Sequence, residues 1–311
     1  MLFVHGFDLG IYDPDGLMVS ETVFATEGNV FDWTGAGYDA AAVTAWLTAA
    51  AGRNRVPLLT VRPVAAPGND ATLLTDIVAG AYDSVLSNLT GAINAATFAA
   101  GKRLYLRWGP EMDVVTGVNP WAVAPSIAST YGAAYDYVTN YFRQHITATP
   151  VSTVWSPAGD SSDAKLYYPS DVSVDLVGTT VKEWTLLSLD YGFGKPKTPG
   201  LYWDSKGFRS FSSILTDKLP NISFPNKSIV VAEAGVSTTG VGTDGGNFGT
   251  KTYQREWMYE GFEALKRGDF PLIMSLVYYN VTDLPNSWMP YETSAPDFHI
   301  SADVFRSWLG Q

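Results

Sequence analysis

The sequence predicts a single (β/α)8 barrel. Short apolar runs recur along the chain, helical patterns fill the gaps between them, and no linker, charge block or repeat divides the 311 residues. A barrel of this kind takes about 250 residues, so one domain is drawn over residues 1–311. A doubly wound open sheet is the rival arrangement.

The apolar runs are 2–7, 22–25, 57–61, 103–106, 151–155, 174–178, 229–232 and 272–278. None alternates strictly, as expected of parallel strands covered on both faces. Residues 38–51 are Ala-rich and close on Gly52, a helix stop. Residues 70–100 read as one long helix ended by Gly101. In 127–144, Tyr131, Ala134, Tyr135, Val138, Tyr141 and Phe142 recur at helical spacing. Residues 204–219 give a weaker helical pattern. In 251–267, Trp257, Gly261, Phe262 and Leu265 mark the last helix.

Composition narrows the function. The chain is 46% hydrophobic and 16% charged, which describes a globular protein. Its net charge of −11 argues against nucleic acid as a partner. The 10 Trp and 17 Tyr suit sugar rings, because each combines an apolar face with a polar tip, although large cores use them too. Without cysteine there is no disulfide, thiolate nucleophile or Cys-zinc site. No run reaches membrane-spanning length. A monomer is expected. No signal segment opens the sequence, so a secreted or periplasmic setting would need one upstream.

In a (β/α)8 barrel the active site lies at the C-terminal ends of the strands. Those ends supply Asp8, Glu27 and Arg62, then Arg107, Trp108 and Glu111, then Trp155. They continue with Lys182, Glu183 and Trp184, with Glu233 in "IVVAEAGV", and with Tyr278, Tyr279 and Asn280. Glu111 and Glu233 stand out. Two carboxylates facing one bond are what glycoside hydrolysis needs, one protonated to donate to the leaving oxygen and one ionised. Either glutamate alone reads equally well as a buried carboxylate paired with arginine. Around them, Arg107, Trp108, Trp155, Lys182, Trp184, Tyr278 and Tyr279 are the candidate substrate-binding residues, the aromatics as sugar platforms.

Several pieces occur together and in order: "IVAGAYDSVL" (77–86), "LYLRWGPEMD" (104–113), "YGAAYDYVTNYFRQ" (131–144) and "VSTVWSPAG" (151–159). "YYPSDVSVDLVG" (167–178), "IVVAEAGV" (229–236) and "FEALKRGDFPLIMSLVYYN" (262–280) follow. From about residue 30 to 280 the chain resembles glycoside hydrolase family 26, a group of retaining β-glycanases with (β/α)8 barrels. The resemblance implies a retaining endo-β-glycosidase acting on a polysaccharide: a β-mannan, a β-glucan or a bacterial exopolysaccharide. It implies Glu111 as acid/base and Glu233 as nucleophile, with no cofactor and no metal. Three positions differ. The family usually has His before the acid/base, where this chain has Pro110. After strand 6 it usually has a Tyr touching the nucleophile, where "VGTTVKEW" offers Lys182, Glu183 and Trp184. At strand 8 a Trp platform is usual, and here stand Tyr278 and Tyr279. The reaction type is thus implied more firmly than mannan as substrate.

Two other classes stay open. One is a non-catalytic glycan-binding barrel. The other is a phosphate-handling barrel using "GVGTDGG" (240–246), which has the form of a dinucleotide fingerprint but would set Glu233 against a pyrophosphate. His5, His145 and His299 have no metal-ligand spacing, and Asp160 and Asp163 read as a solvated loop rather than a calcium site.

Overall fold

The computed structural model describes residues 7–33, 37–64, 71–115, 119–183, 209–236 and 251–280. Eight parallel strands close into a barrel in chain order: β1 Asp8–Tyr12, β2 Thr26–Trp33, β3 Val56–Pro63, β4 Leu104–Trp108, β5 Val151–Trp155, β6 Leu176–Glu183, β7 Ile229–Val236 and β8 Ile273–Tyr279. The register from β8 back to β1 pairs Asp8 with Ser275 and Tyr12 with Tyr279, which shuts the ring. The described helices are α1 Ala40–Gly52, α2 Leu73–Val78, α3 Asp83–Ala95, α4 Ala128–His145, α5 Phe211–Ile222 and α6 Lys251–Arg267. The closed barrel is therefore as the sequence predicts.

Alternation along each strand sorts the side chains. Val56, Leu58, Tyr105, Val154, Val230, Ala232 and Val277 form one cluster inside the barrel. Their strand neighbours Leu59, Leu104, Leu106, Trp108, Trp155, Ile229 and Val231 belong to a second, larger cluster under the helices. The interior is tight. A Cβ on Gly10 would stand 2.9 Å from Val277 Cγ2, and one on Gly178 would stand 2.6 Å from Ser156 Oγ. Glycine is what lets those strands approach.

The helices follow from their sequences. Asp39 caps α1, its carboxylate accepting from the N–H of Ala42 at 3.0 Å. In α4, Tyr131, Ala134, Tyr135, Val138 and Phe142 are buried on one face, and Arg143 and His145 lie in the last turn, where cations suit the helix dipole.

Three expectations are corrected. The first strand is Asp8–Tyr12 rather than 2–7, of which residues 2–6 lie outside the described residues. The second is Thr26–Trp33, whereas 22–25 forms a turn. Residues 70–100 are two helices, because Gly80 takes φ 80° between them.

Candidate active site

The C-terminal mouth of the barrel carries a connected polar network. Arg107, fourth residue of β4, points inward with its side chain 1% exposed. Its Nε donates to Ser156 Oγ at 2.9 Å, just beyond β5. Its Nη1 pairs with Glu233 Oε1, and its Nη2 lies 3.5 Å from Thr180 Oγ1. The Thr180 hydroxyl donates to Glu111 Oε1 at 2.7 Å. Lys182 Nζ donates to Glu233 Oε2 at 2.6 Å. Both glutamates thus belong to one network, with Arg107 and Thr180 between them.

Glu233 reaches this network through an irregularity in β7. Thr179 on β6 pairs with Val231, but the next residue, Thr180, pairs with Glu233. On the other side Val231 pairs with Leu276, and Ala234 with Tyr278. Over this stretch β7 therefore has one residue more than either neighbour, whereas between Ile229 and Val230 the extra residue is on β8, since Ile229 pairs with Ile273 and Val230 with Ser275. Ala232 packs inside the barrel, and Glu233 also turns inward to Arg107. A β-bulge that re-aims a side chain is a common device beside active sites.

Glu111 is placed by a turn after β4. Gly109 and Glu111 both have positive φ, 52° and 56°. For a glutamate that backbone is unfavourable and needs support. The support is local. The Glu111 N–H donates to Ser156 O at 2.7 Å. The Trp121 indole N–H donates to Pro110 O at 2.7 Å, and the Tyr131 hydroxyl donates to Gly109 O at 3.0 Å. Two residues on, the Asp113 carboxylate accepts from the N–H groups of Ala158 and Gly159. Burial raises the Asp113 carboxyl above its ordinary range against the pull of those N–H donors.

Electrostatics distinguish the two carboxylates. Burial would push the Glu233 carboxyl up, but Lys182 and Arg107 outweigh it and hold it well below the usual carboxylate range. Glu111 has no ion-pair partner among the described residues; its described side-chain bond comes from a neutral hydroxyl.

The predicted aromatics divide by parity. Trp108 follows the inward Arg107, Trp155 follows the inward Val154, and Tyr278 precedes the inward Tyr279. All three face the helix layer and are buried in the core, so they are not sugar platforms. Trp108 stacks on Tyr131, and Trp155 meets Tyr168 and Phe224. Tyr279 has the right parity. It stacks on Tyr12 with ring centroids 5.1 Å apart, and Lys182 Nζ lies 3.5 Å from its ring centroid. Tyr12, Thr60, Arg107, Ala232, Glu233 and Tyr279 line one small hollow. Trp184 lies outside the described residues, as do His5, His299 and the 240–246 loop.

Other strand-end candidates are elsewhere. Asp8 opens β1 and feels the charge of Lys102, so it sits at the opposite end of the barrel. Glu27 is on the outer face, paired with Arg53 and Arg55. Arg62 holds Asp32 through Nε at 2.6 Å and Nη2 at 2.9 Å. The Glu183 carboxylate accepts from the N–H of Arg209 at 2.8 Å, and the Asn280 amide donates to Asp13. Asp160 pairs with Lys218. Among the described residues no three His, Asp or Glu side chains converge as a metal site. Sequence reasoning missed Thr180, Ser156 and Tyr12. Two-residue spacing from Lys182 and from Val154, and in the case of Tyr12 from Gly10, was the signal available for them.

Fold and mouth together define a class, the (β/α)8 barrels that work at their strand C-termini. Within it, this chain has a glycoside hydrolase family 26-like fold. A Bacillus subtilis mannanase superposes with TM-score 0.59 at 12% identity, over 96% of this chain and 84% of that one. A Cellulomonas fimi endo-β-1,4-mannanase double mutant gives 0.62 at 15% identity, over 98% and 71%. The catalytic domain of a family 26 endo-β-1,4-mannanase from Bacillus sp. JAMB-750 gives 0.58 at 14%, over 99% and 88%. No protein-family profile matches the sequence, and no curated protein matches it. No described helix is long and apolar enough to cross a membrane.

Proposed function

We propose that the protein is a retaining endo-β-glycosidase that hydrolyses a polysaccharide by double displacement. The observation that carries this reading is the inward turn of Glu233 at the β7 bulge, into a network that also holds Glu111. Paired carboxylates, one ionised and one free of cations, are the requirement of the reaction.

Glu233 is the nucleophile. Its carboxylate oxygen forms a bond to the anomeric carbon as the glycosidic C–O bond breaks. Glu111 gives its proton to the departing oxygen and becomes a carboxylate. Water then attacks the glycosyl ester, Glu111 takes the water's proton, and Glu233 is released as carboxylate. Arg107 holds Glu233 in place, and Thr180 holds Glu111. Tyr279 is the described aromatic suited to meet a sugar face. A polysaccharide is too large to enter a cell unaided, which fits a secreted or periplasmic setting.

A second reading is favoured by one specific observation: both oxygens of Glu233 are engaged, by Arg107 and by Lys182. A barrel that binds glycan without cutting it would tolerate that. A panel of mannans, β-glucans and exopolysaccharides, with products followed by mass spectrometry, separates the two. Shortened oligosaccharides from the wild type, absent with Glu233→Ala, support the enzyme. Binding without shortening on every glycan overturns it.

A further inference from the structure

We infer that the Asp32–Arg62 pair on the cleft wall is a sugar subsite: together the two side chains grip two neighbouring hydroxyls on an uncharged sugar unit, bound beside the unit that is cleaved. This rests on the glycosidase reading above and adds a subsite to that same cleft.

The first argument is place. Asp32 and Arg62 are partners in the β2–β3 register. Val30 and Thr60, two residues earlier on the same strands, line the hollow that also holds Arg107, Glu233 and Tyr279. Residues two apart on a strand share a face, so Asp32 and Arg62 form the next inward step of the wall, toward the mouth. Round the ring the order is Glu233 on β7, Tyr279 on β8, Tyr12 on β1, Asp32 on β2 and Arg62 on β3. The Tyr12–Tyr279 stack thus stands between Glu233 and the ion pair, and one continuous arc carries the nucleophile, an aromatic face and the pair. Burial in this concave wall opposes the positive charge of Arg62, yet Asp32, Glu233 and Tyr12 raise it above its ordinary value.

The second argument is chemistry. Arg62 Nε donates to Asp32 Oδ1 at 2.6 Å, and Nη2 donates to Oδ2 at 2.9 Å. This side-by-side pairing uses two of the five N–H groups of a guanidinium and leaves each carboxylate oxygen a lone pair. Among the described residues neither side chain has a further hydrogen-bond partner. Arg62 is 45% exposed and Asp32 43%, so donors and acceptors remain open at the mouth. A sugar hydroxyl both donates and accepts, and a pyranose carries hydroxyls on adjacent carbons. One hydroxyl donating to Asp32 while its neighbour accepts from Arg62 satisfies both groups at once. Each side chain already holds the other in place, so little freedom is lost when the sugar arrives. The two charges offset each other, which suits an uncharged ring.

Stability does not account for the pair. An ion pair this exposed adds little to folding. The contrast is Glu27 on the outer face, whose side chain is 10% exposed and which ties Arg53, at the end of α1, and the 3% exposed Arg55 to β2. Asp32 and Arg62 connect only two strands that backbone pairing already joins from Thr26 to Trp33.

The test uses matched glycans. β-1,4-linked manno-, gluco- and galacto-oligosaccharides are each compared with the same chain methylated at its O2 and O3 hydroxyls. Binding is measured by calorimetry on the Glu111→Gln protein, so that turnover does not consume the ligand. Adding Asp32→Ala or Arg62→Ala should weaken binding of an unmodified chain by about tenfold or more. The double variant should bind no worse than the weaker single one, because the two side chains act as a unit. The methylated chain should lose nothing further in any variant. The loss should persist in added salt, since an uncharged ligand gives little to screen. Melting temperatures should hold throughout. If the alanine variants fail to fold, Asp32→Asn and Arg62→Lys should show the same loss in smaller measure. Unchanged affinity in every variant, an equal loss for the methylated chain, a loss that follows the melting temperature, or no binding of any chain overturns the subsite. Failure of the glycosidase reading looks different: the loss specific to unmodified chains would appear, and the wild type would never shorten them.

Discussion

Lys182 and Glu233 face each other across the β6–β7 seam, with Nζ 2.6 Å from Oε2, while Arg107 takes the other oxygen from β4. The carboxylate is held from two strands at once, and its ionisation is tied to the integrity of the barrel mouth.

That tie predicts a pH dependence. In the unfolded chain Glu233 titrates near about 4.3. In the folded chain its carboxyl is held far lower. A group depressed on folding stabilises above its unfolded pKa and loses that contribution as pH falls toward the folded one. The Glu233 contribution should be complete above about pH 5 and decline steadily in stronger acid. Arg107→Met leaves Glu233 with one cation and should cost about 3 kcal/mol at pH 7. The cost should shrink at pH 3, where the variant's Glu233 gains a proton more readily. Urea melts of both proteins at pH 7, 5 and 3 read this directly. A cost independent of pH would mean that Arg107 acts through packing alone.

The roles of the two glutamates separate with an activated aryl glycoside. Glu233→Ala should be inactive on every substrate, because no glycosyl-enzyme forms. Glu111→Ala should still react in the first step, since a good leaving group needs no proton. Azide should then release a glycosyl azide of retained configuration. Rescue with retained configuration in the Glu233 variant instead would exchange the two assignments.

Thr180 tests the connection between them. Thr180→Val keeps the side-chain shape and removes the donor to Glu111 Oε1. Losing a hydrogen bond worth about 1–2 kcal/mol in the reacting state lowers kcat by about five- to thirtyfold. KM should hardly change. A shift in KM alone would assign Thr180 to substrate contact.

Trp155 and Tyr279 should behave as opposites. Trp155 is 0% exposed and packs on Tyr168 and Phe224. Trp155→Ala should cost about 3–5 kcal/mol of stability. Tyr279→Ala should cost much less and weaken oligosaccharide binding. Thermal denaturation beside a binding titration checks both, and equal effects on the two readouts would break the division.

The sequence made much of this legible, and its gaps have physical causes. The strands rich in Val, Leu and Ile, such as β3 and β7, were readable as apolar runs. β1 and β2 were not, because Gly10 stands where the interior has little room, Gly28 interrupts the apolar run of β2, and Glu27 and Asp32 use outer-face or rim arginines as partners. Among the site residues, Arg107, Glu111, Lys182 and Glu233 do converge in the structure. Adjacent pairs such as Arg107 with Trp108, or Tyr278 with Tyr279, could not both face inward on a regular strand, and strand parity alone assigns one of each to the core. The inward turn of Glu233 right after Ala232 was hidden for the converse reason: a bulge breaks parity and leaves no mark in composition.

The extra residue in β7 also bears on how much chain length this strand can lose. Without Ala232, Thr179 and Thr180 would again face consecutive residues, and the stretch opposite Leu276–Tyr278 would again match it in length. Glu233 would take the inward place that Ala232 now fills, and Ala234 beyond it would keep its partners Val181 and Tyr278. A one-residue loss that would turn the side chains of a regular strand inside out is thus one that β7 can absorb with its acid still at the mouth.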